Sequence, residues 1–406
     1  MKILHTADIH IGNNTYGRID ARTGLNSRLL DFRRCFEFMV ARGLREDIDV
    51  FLFCGDAYRT ATPSPTQQKT FAECLRPVAE AGIPIVMITG NHDHPISFGK
   101  ASSIDIFKYL SGDVHVFRKP ESARIETRSG PLQLVAMPWP VRSLLLLGNK
   151  YRKVSPKQLS EVIEKMYTDI IAREAAKLDP LLPAVLAGHF SVAGSLTKSS
   201  ERGSLMFNEP KLSPAQLSPA PIDYVALGHI HHHQNCAPEG HTPVVYSGSI
   251  ERITFNEQGS RKGFVLVTIT GNPKKTSSSF VETPARRFAT VHVDARNADD
   301  PTEAIVRKIA RSDVKDAIVR VLFQINESQR ALVNLNRVRA ALKPAFSIAS
   351  IERVSEPVER RQRTLVTRES SMKEALGSYI DQHSHLAPMK DALIRKALAL
   401  EAELAG

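Results

Sequence analysis

Five short stretches of the chain each end an apolar run in side chains able to bind cations. "ILHTADIH" delivers Asp8 and His10, "FLFCGD" delivers Asp56, "VMITGNHD" delivers Asn91 and His92, "VLAGH" delivers His189, and "ALGHIH" delivers His229 and His231. Carboxylates, imidazoles and an amide oxygen, with no thiolate, suit Mn²⁺, Fe²⁺ or Zn²⁺. Even seven of these eight donors exceed what one four-coordinate ion with an open position can use, whereas two ions sharing a bridging carboxylate can use that many. In an extended chain positions i and i+2 point to one side, so Asp8 with His10, and His229 with His231, can each face a common ion. A glycine directly precedes Asp56, Asn91, His189 and His229 and permits the sharp turn that aims a ligand from a strand end. His232 and His233, which complete "LGHIHHHQ", fall outside the pattern and read as solvated or packing residues.

Such ligands must be positioned by the elements that precede them. "KILHTA", "VFLFCG", "IPIVMITG", "LQLVAMP", "AVLAGH", "YVALGH", "PVVYSG" and "GFVLVTI" are short apolar runs bounded by Gly, Pro or Asp, as expected of strands buried on both faces. "SRLLDFRRCFEFMVARGL" and "QLSEVIEKMYTDIIAREAAKL" carry helical periodicity between them. The alternation predicts a layered α/β domain over residues 1–270, with its site outside the carboxyl ends of the strands. "TGNPKKTSSSFVETPARR" reads as a linker. A strand–helix–strand–helix–strand pattern over residues 287–355 predicts a small α+β unit. A second, charged linker is expected over 356–371, then a helical tail over 372–406. The tail's apolar stripes (Met372, Ala375, Leu376, Tyr379, Ile380, then Met389, Leu393, Ala397, Leu400, Leu404) need a surface to cover them, on the same chain or on a partner.

Composition narrows the classes. Hydrophobic residues at 42% and charged residues at 24% are ordinary for a globular protein, and no apolar run approaches the roughly 20 residues a membrane helix needs. The first residues lack the h-region of a signal peptide, so a cytoplasmic protein with no membrane partner is expected. Cys35, Cys54, Cys74 and Cys236 are scattered, which argues against a disulfide framework or a thiolate zinc site. A formal charge of +11 favours a polyanionic partner, nucleic acid first. Arg307, Lys308, Arg311, Arg353, Arg360, Arg361 and Arg363 could follow a DNA backbone or simply be a solvated face.

The ordered set D-x-H, G-D, G-N-H-D, G-H and G-H-x-H resembles the calcineurin-like metallophosphoesterases. With "KILHTADIHIG", "GDAYR", "GNHDHP" and "VVYSGSIERITFNE", the chain is most similar to their SbcD-type DNA nuclease subunits. The resemblance implies a layered β-sandwich flanked by helices, a small DNA-capping domain and a tail that binds an ATPase of the SbcC type. It implies that Asp8, His10 and His231 hold one metal, that Asn91, His189 and His229 hold the other, and that Asp56 bridges them. His92 would act on the scissile phosphate or its leaving oxygen, with Asp93 either orienting it or capping a helix. Mn²⁺ is the most expected ion, with Fe²⁺, Zn²⁺ or Mg²⁺ as alternatives. Exonuclease and endonuclease activity on DNA and a homodimer through the catalytic domain, near "SIDIFKYL", are implied with it. Arg59 departs from relatives that carry His or Asp three residues after the bridging aspartate. Two other readings stay open: a metallophosphatase or cyclic-nucleotide phosphodiesterase, and a scaffold that bridges DNA ends without cutting. The chain has no G-x-x-x-x-G-K-[ST] run, so ATP-driven gating would have to come from a partner.

Overall fold

The computed structural model describes residues 1–94, 100–109, 112–141, 154–196, 209–354, 376, 380 and 389–405. The chain enters along β1 (Lys2–Thr6), crosses through α1 (Ser27–Arg45) to β2 (Val50–Phe53), and through α2 (Pro65–Glu80) to β3 (Ile85–Ile88) and β4 (Val114–Phe117). Each helix starts where the sequence supplies an acceptor for its free N–H groups: Asn26 caps α1, and Ser64 with Gln67 forms a capping box on α2, whose first residue is Pro65. Phe32, Phe36, Met39 and Val40 recur at helical spacing and turn α1 onto the sheet.

A second set of strands follows: β5 (Glu121–Ile125), β6 (Leu132–Met137), β7 (Ala184–His189), the two-residue pair β8 (Ser191–Val192) and β9 (Lys211–Leu212), β10 (Tyr224–Gly228), β11 (Gln234–Asn235) and β12 (Val244–Tyr246). The helix Pro156–Ala175, again capped by a Ser–Gln box, covers their outer face. β13 (Gly263–Thr270) and β14 (Lys275–Glu282) return to the first sheet, whose order is β14-β13-β1-β2-β3-β4; the second is β11-β12-β10-β7-β6-β5. In β1 the alternation decides the layers: Ile3 joins the core between the sheets, Leu4 the core under α1 and α2. The result is helix–sheet–sheet–helix. Leu52, fully buried between the sheets, should cost ~2–5 kcal/mol if cut to Ala.

All eight expected apolar strands are present. Six further strands were not expected: the two-residue β8, β9 and β11, and the longer β4, β5 and β14. β4 is an edge strand, and β5, also an edge, buries only alternate residues, so neither gives a long apolar run. β14 lies inside the segment expected to be a linker: Ser and Thr on its exposed face mimic loop composition, while it pairs with β13 along Gly263–Thr270. This corrects the linker reading.

β15 (Phe288–Asp294), the helix Pro301–Ala310, β16 (Ile318–Gln324), the helix Leu335–Ala341 and β17 (Ser347–Arg353) form the small unit, a parallel sheet ordered β15-β16-β17. Val291, Ile305, Ile309, Val319, Val321 and Val338 make a core of its own. One helix, Lys390–Ala405, represents the tail. The charged linker and most of the first tail stripe lie outside the described residues. Among the described residues no helix is long and apolar enough to cross a membrane.

Candidate metal centre

β1, β2, β3, β7 and β10 end at one place, where the carboxyl ends of both sheets meet, and each delivers its ligands there. The chain bends hard to do so. Asp8 (φ 53°), His10 (φ 51°), Asp56 (φ 62°) and His229 (φ 98°) all occupy the left-handed region, which costs a non-glycine residue on the order of 1–3 kcal/mol. Hydrogen bonds from Asp8 N–H to Gly55 O (2.9 Å) and from His10 N–H to Asp56 O (3.1 Å) hold two of these bends against each other. The glycines have a steric reason: a Cβ at Gly90 would overlap the Asp56 carboxylate, and one at Gly228 the Cys54 carbonyl.

Two groups of donors result. His10 Nε2 lies 3.0 Å from His231 Nε2 and 3.6 Å from Asp56 Oδ2, and the ligand atoms of Asp8, His10 and His231 all fall within 4.8 Å of one another. On the other side of Asp56, His189 Nε2 is 3.5 Å from Oδ2 and 3.0 Å from Asn91 Oδ1, which is 3.3 Å from His229 Nδ1. Asp8, Asp56 and His189 form a further set within 4.8 Å. All seven expected ligands therefore converge, with Asp56 between the halves.

The residues fit a pair of divalent ions. Two imidazole nitrogens 3.0 Å apart present lone pairs to the same point, which a shared cation satisfies. Partners of the opposite ring nitrogens set the tautomers. His189 Nδ1–H donates to Cys54 O (2.7 Å), His231 Nδ1–H to Glu257 Oε1 (2.9 Å), and His229 Nε2–H to Glu209 Oε2 (3.1 Å). Each bond holds a proton on the outer nitrogen and turns the inner nitrogen towards the centre. Glu209 and Glu257 escaped sequence reading. Glu257 ends the "FNE" of "SGSIERITFNE", but nothing in its spacing points to His231, 26 residues earlier.

Electrostatics follow from burial. Burial raises the Asp8 carboxyl and drives the His10 imidazole well below its usual value. Burial would also raise Asp56, but His189 and His10 outweigh it and hold the carboxyl below the ordinary range. For His189, burial is opposed by Asp56 and Asp8, which lift the ring to about 9. A divalent cation would displace that proton.

His92 differs from its neighbours. Its side chain is 43% exposed, against 5% for His10 and 8% for His231, and its Nε2 is 4.0 Å from Asp56 Oδ2. Nδ1 bonds the Arg59 carbonyl (2.8 Å), which points Nε2 towards the centre. Asp93, expected either to orient His92 or to cap a helix, makes its carboxylate hydrogen bonds elsewhere. The buried Asp93 carboxylate accepts the N–H groups of Asp56 (2.7 Å), Ala57 (3.0 Å) and Gly90 (2.9 Å). It braces the β2 and β3 turns rather than His92, and burial with the nearby Asp56 charge raises it to about 6. Arg59 thus enters through its backbone; Trp139, half-buried, sets its ring 5.0 Å from that of His229.

Residues 1–233 match the family described as calcineurin-like phosphoesterase, well over half of the chain. The chain belongs to this family. It is accordingly a hydrolase, and the converging side chains form clusters that could hold metal ions. Relatives sharpen the placement. The chain is 30% identical over 277 residues to the SbcD component of nuclease SbcCD from Bacillus subtilis (strain 168), covering 66% of each. To the same component from Escherichia coli (strain K12) it is 28% identical, over 66% of this chain and 65% of that one. The Staphylococcus epidermidis counterpart is 25% identical, over 72% and 73%. The first two matches thus span just under two thirds of those relatives' length.

Proposed function

We propose that this phosphoesterase is a nuclease of the SbcD type that hydrolyses DNA phosphodiester bonds, as exonuclease and endonuclease, in end processing and repair. The observation that carries the reading is the exposed imidazole of His92 at the mouth of a centre whose other histidines, among the described residues, are buried. A buried donor set holds cations; an exposed one beside it can meet a polymer.

Asp8, His10 and His231 would hold one ion, Asn91, His189 and His229 the other, with Asp56 shared, and Mn²⁺ is the proposed physiological ion. When bound, the pair neutralises phosphoryl oxygens and lowers the pKa of water. His92, oriented by the Arg59 carbonyl, donates its Nε2 proton to the departing oxygen. Asp93 keeps Asp56 and Asn91 in register through the backbone of their turns. The small unit is proposed to cap DNA, the C-terminal helices to bind an ATPase of the SbcC type, and the protein to act as a homodimer in the cytoplasm. The likeness to components of nuclease SbcCD supports the ATPase partnership.

The test is hydrolysis of linear duplex DNA beside a simple aryl phosphodiester, with Mn²⁺, with and without the ATPase. Cleavage of DNA that the ATPase stimulates supports the reading. Turnover of the aryl ester alone under every condition would return the chain to the phosphatase class, and turnover of neither to the scaffold class.

A further inference from the structure

The "SGSIERITFNE" stretch does more than complete the fold. It leaves β12 beside the metal centre and runs to the small unit, carrying two buried carboxylates. Glu257, 1% exposed, faces the centre: Oε1 accepts from His231, while Oε2 accepts from Lys262 Nζ (2.9 Å) and Ile253 N–H (2.9 Å). The buried Lys262 also donates to Ser249 Oγ (2.7 Å) and to the carbonyl of His231 itself (3.1 Å). His231 is therefore held at its ring and at its backbone by one ion pair.

The residues on either side of Glu257 face the small unit. The Phe255 ring packs 5.0 Å from Phe288 of β15 and lies under the guanidinium of Arg320 of β16 at 4.5 Å. Gln258 accepts a hydrogen bond from Thr290 Oγ1 (2.6 Å), and Thr290 accepts one from Arg320 (2.9 Å). Tyr16, six residues beyond His10, joins the same cluster, 5.4 Å from Phe255 and 5.8 Å from Phe288. His10 and His231, whose Nε2 atoms meet at 3.0 Å, are thus both followed in the chain by an aromatic ring seated on the small unit. The second carboxylate, Glu251, accepts the Arg286 N–H at the unit's entry, and Arg286 clamps Asp31 while stacking 3.6 Å over Phe346. The Asn91 side is built differently. There His189 and His229 meet Cys54, Glu209 and Trp139, all from the large domain.

We propose that Phe255–Gln258 is a strap that makes the small unit part of the first half of the metal centre: Glu257 is the positioning residue for His231, and Phe255 sets where Glu257 stands. The unit then tunes cation binding in the Asp8/His10/His231 half and leaves the Asn91/His189/His229 half alone. Anything that shifts the unit, such as a nucleic acid lying across it, changes the affinity of one ion. The inference rests on the two-metal reading of the site.

The experiment is calorimetric titration of the full chain with Mn²⁺, beside ¹⁵N spectra of the His231 ring without metal. Wild type should show two binding events and an Nδ1–H tautomer at His231. Glu257→Gln should weaken one event by about 10- to 100-fold and disturb the tautomer, with Glu257→Asp recovering part of both. Phe255→Ala, which touches no ligand, should weaken the same event by about 2- to 30-fold. Val338→Ala loosens the unit's own core away from the strap and should leave both events unchanged at a temperature where it is folded. A Phe255→Ala protein that titrates like wild type, or a Val338→Ala protein that shifts as far as Phe255→Ala, overturns the strap. Absence of any Mn²⁺ binding by wild type instead overturns the two-metal reading beneath it.

Discussion

The two halves of the metal centre use similar donors but are anchored to different parts of the molecule. His189 donates to the carbonyl at the end of β2, and His229 is held by Glu209 and flanked by Trp139, so the Asn91 half is fastened to the large domain. His231 hangs on Glu257, whose neighbours in sequence grip the small unit. One half is anchored within the sandwich, while the other is anchored beside a separate core. Asp56 belongs to both, and Asp93 fixes its turn from below.

Removing the shared group should erase the difference. Asp56→Ala takes the bridging carboxylate from both halves, and metal analysis should show both ions lost, with phosphodiester hydrolysis reduced by at least about 1,000-fold. His92→Gln separates chemistry from binding: hydrolysis should fall by about 100- to 10,000-fold while Mn²⁺ content, measured on the purified protein, stays intact. Normal turnover by that variant would remove His92 from the mechanism.

Glu209→Gln probes the Asn91 half. It should weaken cation binding there by about 10- to 100-fold, and the event it shifts in calorimetry should be the one Glu257→Gln spares. If both variants moved the same event, the halves would not be independent. Trp139, the only tryptophan in the sequence, gives an optical version of this test. Its ring lies 5.0 Å from that of His229, so Mn²⁺ entering the Asn91 half should quench its fluorescence. The titration midpoint should move with Glu209→Gln and not with Glu257→Gln.

The smallest effect concerns the floor common to both halves. His5 joins the sheets, accepting from Tyr224 O–H (3.1 Å) and donating to Leu227 O (3.2 Å), and burial pushes its pKa down to about 3. The unfolded chain therefore binds a proton near pH 6.5 that the folded one refuses. Its contribution is complete above pH 6.5 and is lost as pH falls towards 3, by roughly 2 kcal/mol at pH 5. Urea unfolding of metal-free protein between about pH 5 and 7 should show a slope to which His5 contributes, and His5→Gln should reduce it by that share.

Much of this was legible beforehand. Apolar runs ending in Asp, Asn or His announced both the buried strands and the ligands, because a ligand at a strand end follows its strand in sequence. The strands that went unseen lie at edges: β5 alternates, and β14 wears Ser and Thr outward, so neither carries an apolar run. The role expected of Asp93 changed for a similar reason. Adjacency to His92 drew attention, but its carboxylate turns to backbone groups of the turn after β2, 37 residues away in the chain.

What the sequence determined by itself is the inventory of donors, their strand-end spacing and the alternation that builds two sheets, since each depends only on near neighbours. The tertiary structure alone decided which nitrogen of each imidazole is free, that Asp56 stands between the halves, and that Glu209 and Glu257 hold the rings. Those depend on residues as far as 221 positions apart meeting at hydrogen-bond distance, as His10 and His231 do. Only folding brings such groups within reach.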